Sequence, residues 1–210
     1  MKQVKSLTLA LLAATAMTAQ GSVIFAIGNN PQTDEPVLYH DSCVGCIDGP
    51  AFTVVGHTQS TNILVDLTSD TPLTAVGPGH YTVSTDAGFN NMAITMPGYS
   101  FESLILQLTS IPSATDGTVT FTAHTLSDGI FVSPEFFDDH TGGNYFTVTI
   151  TAAPGSLLTE VDLVATQLQH DISQIRIGGA TANTPEPATL AMVGIAFISF
   201  GLLGRKFQQR

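Results

Sequence analysis

The 210-residue chain has no tryptophan, only two cysteines and only six Lys or Arg. Five of those cations lie at the ends, as Lys2, Lys5, Arg205, Lys206 and Arg210. Arg176 is therefore the one cation between residues 22 and 184, facing sixteen Asp and Glu in a stretch of formal charge −15. Such a stretch excludes nucleic acid and anionic lipid as its partners, because both need clustered Lys and Arg. It suits solubility and mutual repulsion in a secreted chain, and it permits divalent cations or cationic matrix components. The missing tryptophan counts against a sugar site built on an aromatic platform, for which Tyr39, Tyr81, Tyr99 and Tyr145 are the remaining candidates.

Catalytic patterns are missing too. The six histidines (40, 57, 80, 124, 140 and 170) are scattered, with no His-Glu-x-x-His spacing and no Gly-x-Ser-x-Gly elbow in the chain. Carboxylate pairs for glycoside hydrolysis could be drawn from Asp66, Glu102 or Glu160, but any acidic chain offers such pairs. The chain reads as a non-enzyme.

No convincing amphipathic helix occurs between the ends. Short alternating segments recur instead, rich in Thr, Val, Ile and Phe. Thr118–Ala123 places Val119, Phe121 and Ala123 on one face, and Phe146–Thr151 does the same with Phe146, Val148 and Ile150. Leu104–Leu108 is nearly continuous and suits a central strand covered on both faces. Further strands are expected at Phe52–Val55, Asn62–Leu67, Tyr81–Thr85, Met92–Met96, Val161–Ala165 and Ile172–Ile177. Turn signals separate them, among them Asp86-Ala87-Gly88, Pro97-Gly98, Asp128-Gly129 and Pro154-Gly155. The pattern predicts an all-β fold: a single antiparallel β-sandwich, jelly-roll-like or otherwise Greek-key, over residues 22–179.

The ends read as targeting elements. Residues 1–21 have a basic start (Lys2, Lys5), an apolar run from Leu7 to Ala16 and small residues before Ser22, the pattern of a signal peptide cut by signal peptidase. Residues 180–187 form a polar linker ending in Pro185-Glu186-Pro187. The uncharged run 188–203 follows, long enough as a helix for about 24 Å of a ~30 Å hydrocarbon core, and then the basic tail 204–210 with Arg205, Lys206 and Arg210. The positive-inside tendency places that tail in the cytoplasm and everything before Pro185 outside.

This order, with Pro-Glu-Pro ahead of an apolar span and a basic cluster, closely resembles the PEP-CTERM sorting signal of Gram-negative bacteria. The resemblance implies that Pro185, Glu186 and Pro187 are the recognition motif and that Arg205, Lys206 and Arg210 stop transfer. It implies exosortase as processing partner, an inner-membrane precursor held by the C-terminal helix, and delivery to the cell surface or exopolysaccharide matrix. The segments Gly88–Met92, Phe101–Leu106 and Ile172–Gly178 also look like those of β-rich PEP-CTERM domains, whose function is generally unassigned.

Three features between the ends invite chemistry. Cys43-Val44-Gly45-Cys46 would face an oxidising compartment, where a local disulfide pinning an N-terminal loop is the favoured reading. Redox or metal chemistry is the alternative, with His40 close in sequence, but the flanks read as loop and no second ligand pair exists. Asp138 and Asp139, with Glu135 before and His140 after, form an oxygen-rich cluster that suits calcium, though its spacing matches no known calcium loop. Arg176, between Ile175 and Ile177, is expected to point away from the core into a structural ion pair with a carboxylate on a neighbouring strand. The function expected is a structural or adhesive component of the surface or matrix that needs no cofactor. The runners-up are a calcium-assisted carbohydrate-binding module and, behind it, a glycan hydrolase.

Overall fold

A computed structural model describes residues 22–29, 34–39, 43–76, 82–110, 117–138 and 146–183. Residues 1–21, read above as a signal peptide, the Pro185-Glu186-Pro187 motif, the apolar run 188–203 and the basic tail 204–210 lie outside the described residues. Among the described residues no helix is long and apolar enough to cross a membrane.

The described chain is all-β. Its strands are β1 (Val23–Ile27), β2 (Asp34–Leu38), β3 (Ala51–Thr58), β4 (Leu64–Ala75), β5 (Thr82–Thr95), β6 (Tyr99–Ser100) and β7 (Ser103–Ser110). They continue as β8 (Gly117–Thr125), β9 (Ile130–Val132), β10 (Phe136–Asp138), β11 (Phe146–Ala152), β12 (Leu158–Gly178) and β13 (Thr181–Ala182). All except β6 and β13, which pair with each other, belong to one large antiparallel sheet.

β12 organises that sheet. One of its edges pairs with β8 and then β7, and the opposite edge pairs with β5 through Ser173 and with β2 from Arg176 to Gly178. β2, β3, β4 and β5 are themselves paired in sequence, so the ladder runs from β12 through these four strands and returns to β12. The change of partner coincides with a break in the β12–β7 register between Ser173 and Arg176, where Gln174 takes φ 49°.

Alternation decides which residues enter the core. On β8 it buries Val119, Phe121 and Ala123, with half-buried threonines between them, and on β11 it buries Phe146, Val148 and Ile150, although Thr149 between them is buried too and donates to the Gly28 carbonyl at 2.8 Å. Leu104, Ile105 and Leu106 of β7 are all buried, because β7 lies between β11 and β12 and is covered on both faces. Phe136 joins the core through tilted contacts to Phe121 at 6.2 Å and Phe146 at 5.9 Å between ring centroids. Each fully buried side chain of this kind contributes about 1.5 to 3 kcal/mol.

One expected turn is not a turn, and two pairs of expected strands are each continuous. Asp86-Ala87-Gly88 lies inside β5, so the segments expected at Tyr81–Thr85 and Met92–Met96 form one strand. Likewise the segments at Val161–Ala165 and Ile172–Ile177 both belong to the 21-residue β12. Gly88 takes φ 74° within β5. There the β4 register skips from Ser69/Met92 to Thr74/Ser84, and the β12 register shifts around Gln169. What reads as turn chemistry in sequence is a bulge that redirects three long strands at one level.

Candidate functional site

The loop between β2 and β3 holds the densest set of metal-type ligands among the described residues. Ile47 forms an antiparallel bridge with Val55, through two reciprocal backbone bonds of 3.0 Å. That bridge folds the loop back along β3. Asp48 then accepts the backbone N–H of Ala75 at 2.7 Å, tying the same loop to β4. The bridge carries the Cys-x-x-Cys turn to the margin of the β2–β3–β4 ladder, with Gly45 against the Leu64 side chain, and so brings Cys43 and Cys46 near His57. Gly45 turns the chain between the cysteines at φ 92°, and the N–H of Cys46 donates to the carbonyl of Cys43 at 3.4 Å.

Cys43 and Cys46 are joined as a disulfide, with Cα atoms 5.3 Å apart. Both are half-buried. His57 is buried on β3, between Leu38 of β2 and Leu64 of β4. Its Nδ1 lies 3.1 Å from the carbonyl oxygen of Thr58. A carbonyl can only accept, so Nδ1 is the donor in this contact. One ligand atom from each of Cys43, Cys46 and His57 lies within 4.8 Å of the other two. The sequence offered His40 as the nearby histidine, and it lies outside the described residues. His57 went unnoticed because its proximity comes from the Ile47–Val55 bridge and not from spacing.

The other expected residues are dispersed. The backbone of Asp138 pairs with Gly117 at the end of β10, while Asp139 and His140 lie outside the described residues. Glu135 is exposed. Arg176 is half-buried and borders a shallow depression with Pro36, Gln174 and Ile175. The described ion pairs are His124–Asp162 at 2.8 Å and His170–Asp171 at 2.9 Å, and Arg176 is in neither.

The His124–Asp162 pair stands on a half-exposed face of β8 and β12. Among the described residues no hydroxyl or thiol is bonded to the His124 ring. No Asp or Glu with a described side chain is buried. Asp66, on β4, is a carboxyl pushed above its ordinary value, and partial burial is the cause. Of the candidate platform tyrosines, Tyr39 is fully buried and Tyr99 half-buried, while Tyr81 and Tyr145 lie outside the described residues. No protein-family model matches the chain, and no curated protein matches it.

Proposed function

We propose that the chain is an exported, exosortase-processed protein whose β domain serves a structural or adhesive role at the cell surface or in an exopolysaccharide matrix. The observation that carries this reading is the tripartite order Pro185-Glu186-Pro187, uncharged run, basic tail, set against an acidic stretch from 22 to 184 that keeps one cation. Apart from Arg176, positive charge is confined to the two segments where targeting machinery would read it. The strand-rich domain supports the structural side of the reading. Its wholly buried polar residues are hydroxyl-bearing Ser and Thr, two Gln and one histidine.

The domain is best read as a sandwich. β4, β5 and β12 all lose register at one level, around Ser69–Thr74, Gly88 and Gln169. Bulges aligned across three long strands are the corners at which strands pass from one packed layer to the other. The returning β12–β2–β3–β4–β5 ladder then wraps both layers around one core, in the jelly-roll or Greek-key manner.

Intact-mass analysis of protein recovered from the surface of an exosortase-bearing host tests the assignment. Mature protein should have lost both 1–21 and the segment from about the Pro-Glu-Pro motif onward. Glu186→Ala should accumulate as an inner-membrane precursor. Surface protein that still carries residues 188–210 would overturn the sorting reading.

A further inference from the structure

We infer that β13 is a latch on the sorting motif, one that must leave β6 before the chain can be cut at Pro185-Glu186-Pro187. The latch presupposes the sorting reading above and adds a control step to it. Composition marks residues 180–187 as a polar linker, yet the first of them belong to the fold. β12 ends at Gly178, the chain turns at Gly179 with φ 64°, and Thr181 and Ala182 then pair antiparallel with Ser100 and Tyr99. Asn183 closes the ribbon by donating its N–H to the carbonyl of Gly98 at 2.9 Å. Thr184 is the one residue between that bond and Pro185.

The ribbon has one fixed side and one movable side. On β6, Ser100 is buried and Tyr99 packs against the core. Ahead of β13, Gly178 is held in the ladders of β2 and β7, and the half-buried Ala180 also packs against the core. Thr181, Ala182 and Asn183 are all exposed, and their ribbon stands apart from the large sheet. A ladder of so few exposed pairs lies at the low end of local opening free energies, so β13 can open while the domain stays folded. Backbone bonded in a ladder is withheld from a cutting enzyme, and cleavage of a folded chain follows its open population. Reach acts in the same direction. From Asn183 to Ala188, where the uncharged run begins, there are five residue steps. They span at most about 18 Å, of which the headgroup zone of a bilayer takes about 5 to 8 Å. In a membrane-held precursor the closed ribbon therefore keeps the folded domain directly over the motif. Releasing residues 181–183 adds about 10 Å of chain and leaves Thr181 to Thr184 free ahead of Pro185.

The test locks the ribbon. Ala182 stands opposite Tyr99, next to the bonded Asn183–Gly98 pair, so theirs is the close, non-hydrogen-bonded kind of pair that a disulfide can span. Full-length Tyr99→Cys/Ala182→Cys is expressed in an exosortase-bearing host beside wild type and each single variant. Peptide mapping confirms the cross-link, and intact mass follows cutting over time. Wild type and the single variants should be cut at similar rates, and the cross-linked chain about 10-fold or more slowly, because the bond removes the open population. Inserting about six Gly and Ser residues between Asn183 and Thr184, about 20 Å of extended chain, should restore cutting of the cross-linked protein. Cutting of the cross-linked chain at the wild-type rate overturns the latch. So does an insert that restores nothing, since the block then lies elsewhere, and so does equal slowing in Tyr99→Cys alone, which assigns the effect to lost packing. Wild type left uncut overturns the sorting reading itself.

Discussion

The ring of Tyr39 occupies the space that a side chain at Gly56 would need. A Cβ on Gly56 would stand 2.7 Å from Cδ1 and Cε1 of Tyr39 and 2.5 Å from the carbonyl oxygen of Leu38. Neither neighbour can yield cheaply, since the ring is fully buried and the carbonyl belongs to a paired strand. Gly56→Ala should therefore destabilise the domain by about 1 to 3 kcal/mol through overpacking. Urea unfolding checks this, and a Gly56→Ala variant as stable as wild type would show that β2 and β3 separate freely.

The hydroxyl of Tyr39 has no hydrogen-bond partner among the described residues. Burial first, and the nearby Asp66 charge second, push the phenol well above its ordinary pKa, so it stays neutral through the working range. A buried, unsatisfied hydroxyl costs about 1 to 3 kcal/mol, while the ring itself packs well. Tyr39→Phe should thus leave stability unchanged or raise it by about 1 kcal/mol. Comparing the urea midpoints of Tyr39→Phe and Tyr39→Leu separates the two contributions, because only the second disturbs the packing against Gly56.

Asp66 gives the domain a pH dependence of defined sign. Burial holds its carboxyl above the ordinary value, so the folded chain binds that proton more tightly than the unfolded chain. The folded state is therefore penalised once the carboxyl ionises. The penalty is absent below the unfolded pKa of about 3.9 and develops as pH rises through the raised folded value. Asp66→Asn, which cannot ionise, should be more stable than wild type near neutral pH, with the gap closing as pH falls below about 4. Thermal melts of both proteins across that range are the check, and a gap that does not vary with pH would assign the effect to packing.

Much of the fold was legible in residues such as Val119, Phe121 and Ala123, where period-two alternation maps onto burial, and Phe146, Val148 and Ile150, where it does so apart from the buried Thr149 between them. The long strands were not. Asp86-Ala87-Gly88 has turn composition, and local chemistry cannot distinguish a hairpin turn from a bulge when the deciding factor is whether neighbouring strands bend at the same level. β1 and β2 escaped notice for another reason. Val23–Ile27 lacks alternation, and Asp34–Leu38 carries two acids and a proline that read as loop, yet both find ladder partners supplied by distant β11 and β12. The same limit applies to the site: the Cys-x-x-Cys was visible, but His57 joins it only through a bridge eight residues long in sequence, from Ile47 to Val55.

Gln174 occupies the left-handed region at φ 49°, which costs a non-glycine residue roughly 1 to 2 kcal/mol. It is exposed and sits where β12 changes partner from β5 to β2. Gln174→Gly should relieve that cost and stabilise by up to about 1 kcal/mol, because glycine also gains freedom in the unfolded chain. Asn62, at φ 54°, is the control: asparagine tolerates this conformation, so Asn62→Gly should change little. Equal responses at the two sites would show that the kink at Gln174 is not a strained element.

Arg176 lies two residues beyond that kink, with Pro36 on one side and Ile105 on the other in the ladder. It was expected to anchor an enclosed ion pair, and both described ion pairs join a histidine to an aspartate instead. With no carboxylate paired to it among the described residues, its guanidinium is expected to act as a half-exposed charge whose apolar stem covers neighbouring surface. A charge in that setting is worth about 0 to 1 kcal/mol. Arg176→Ala should accordingly cost less than about 1 kcal/mol, and Arg176→Met, which keeps the stem, should cost less still. Urea midpoints at low and high salt separate charge from packing. A loss of about 3 to 5 kcal/mol in Arg176→Ala that Arg176→Met does not rescue would instead reveal a buried carboxylate left unpaired, supplied from outside the described residues.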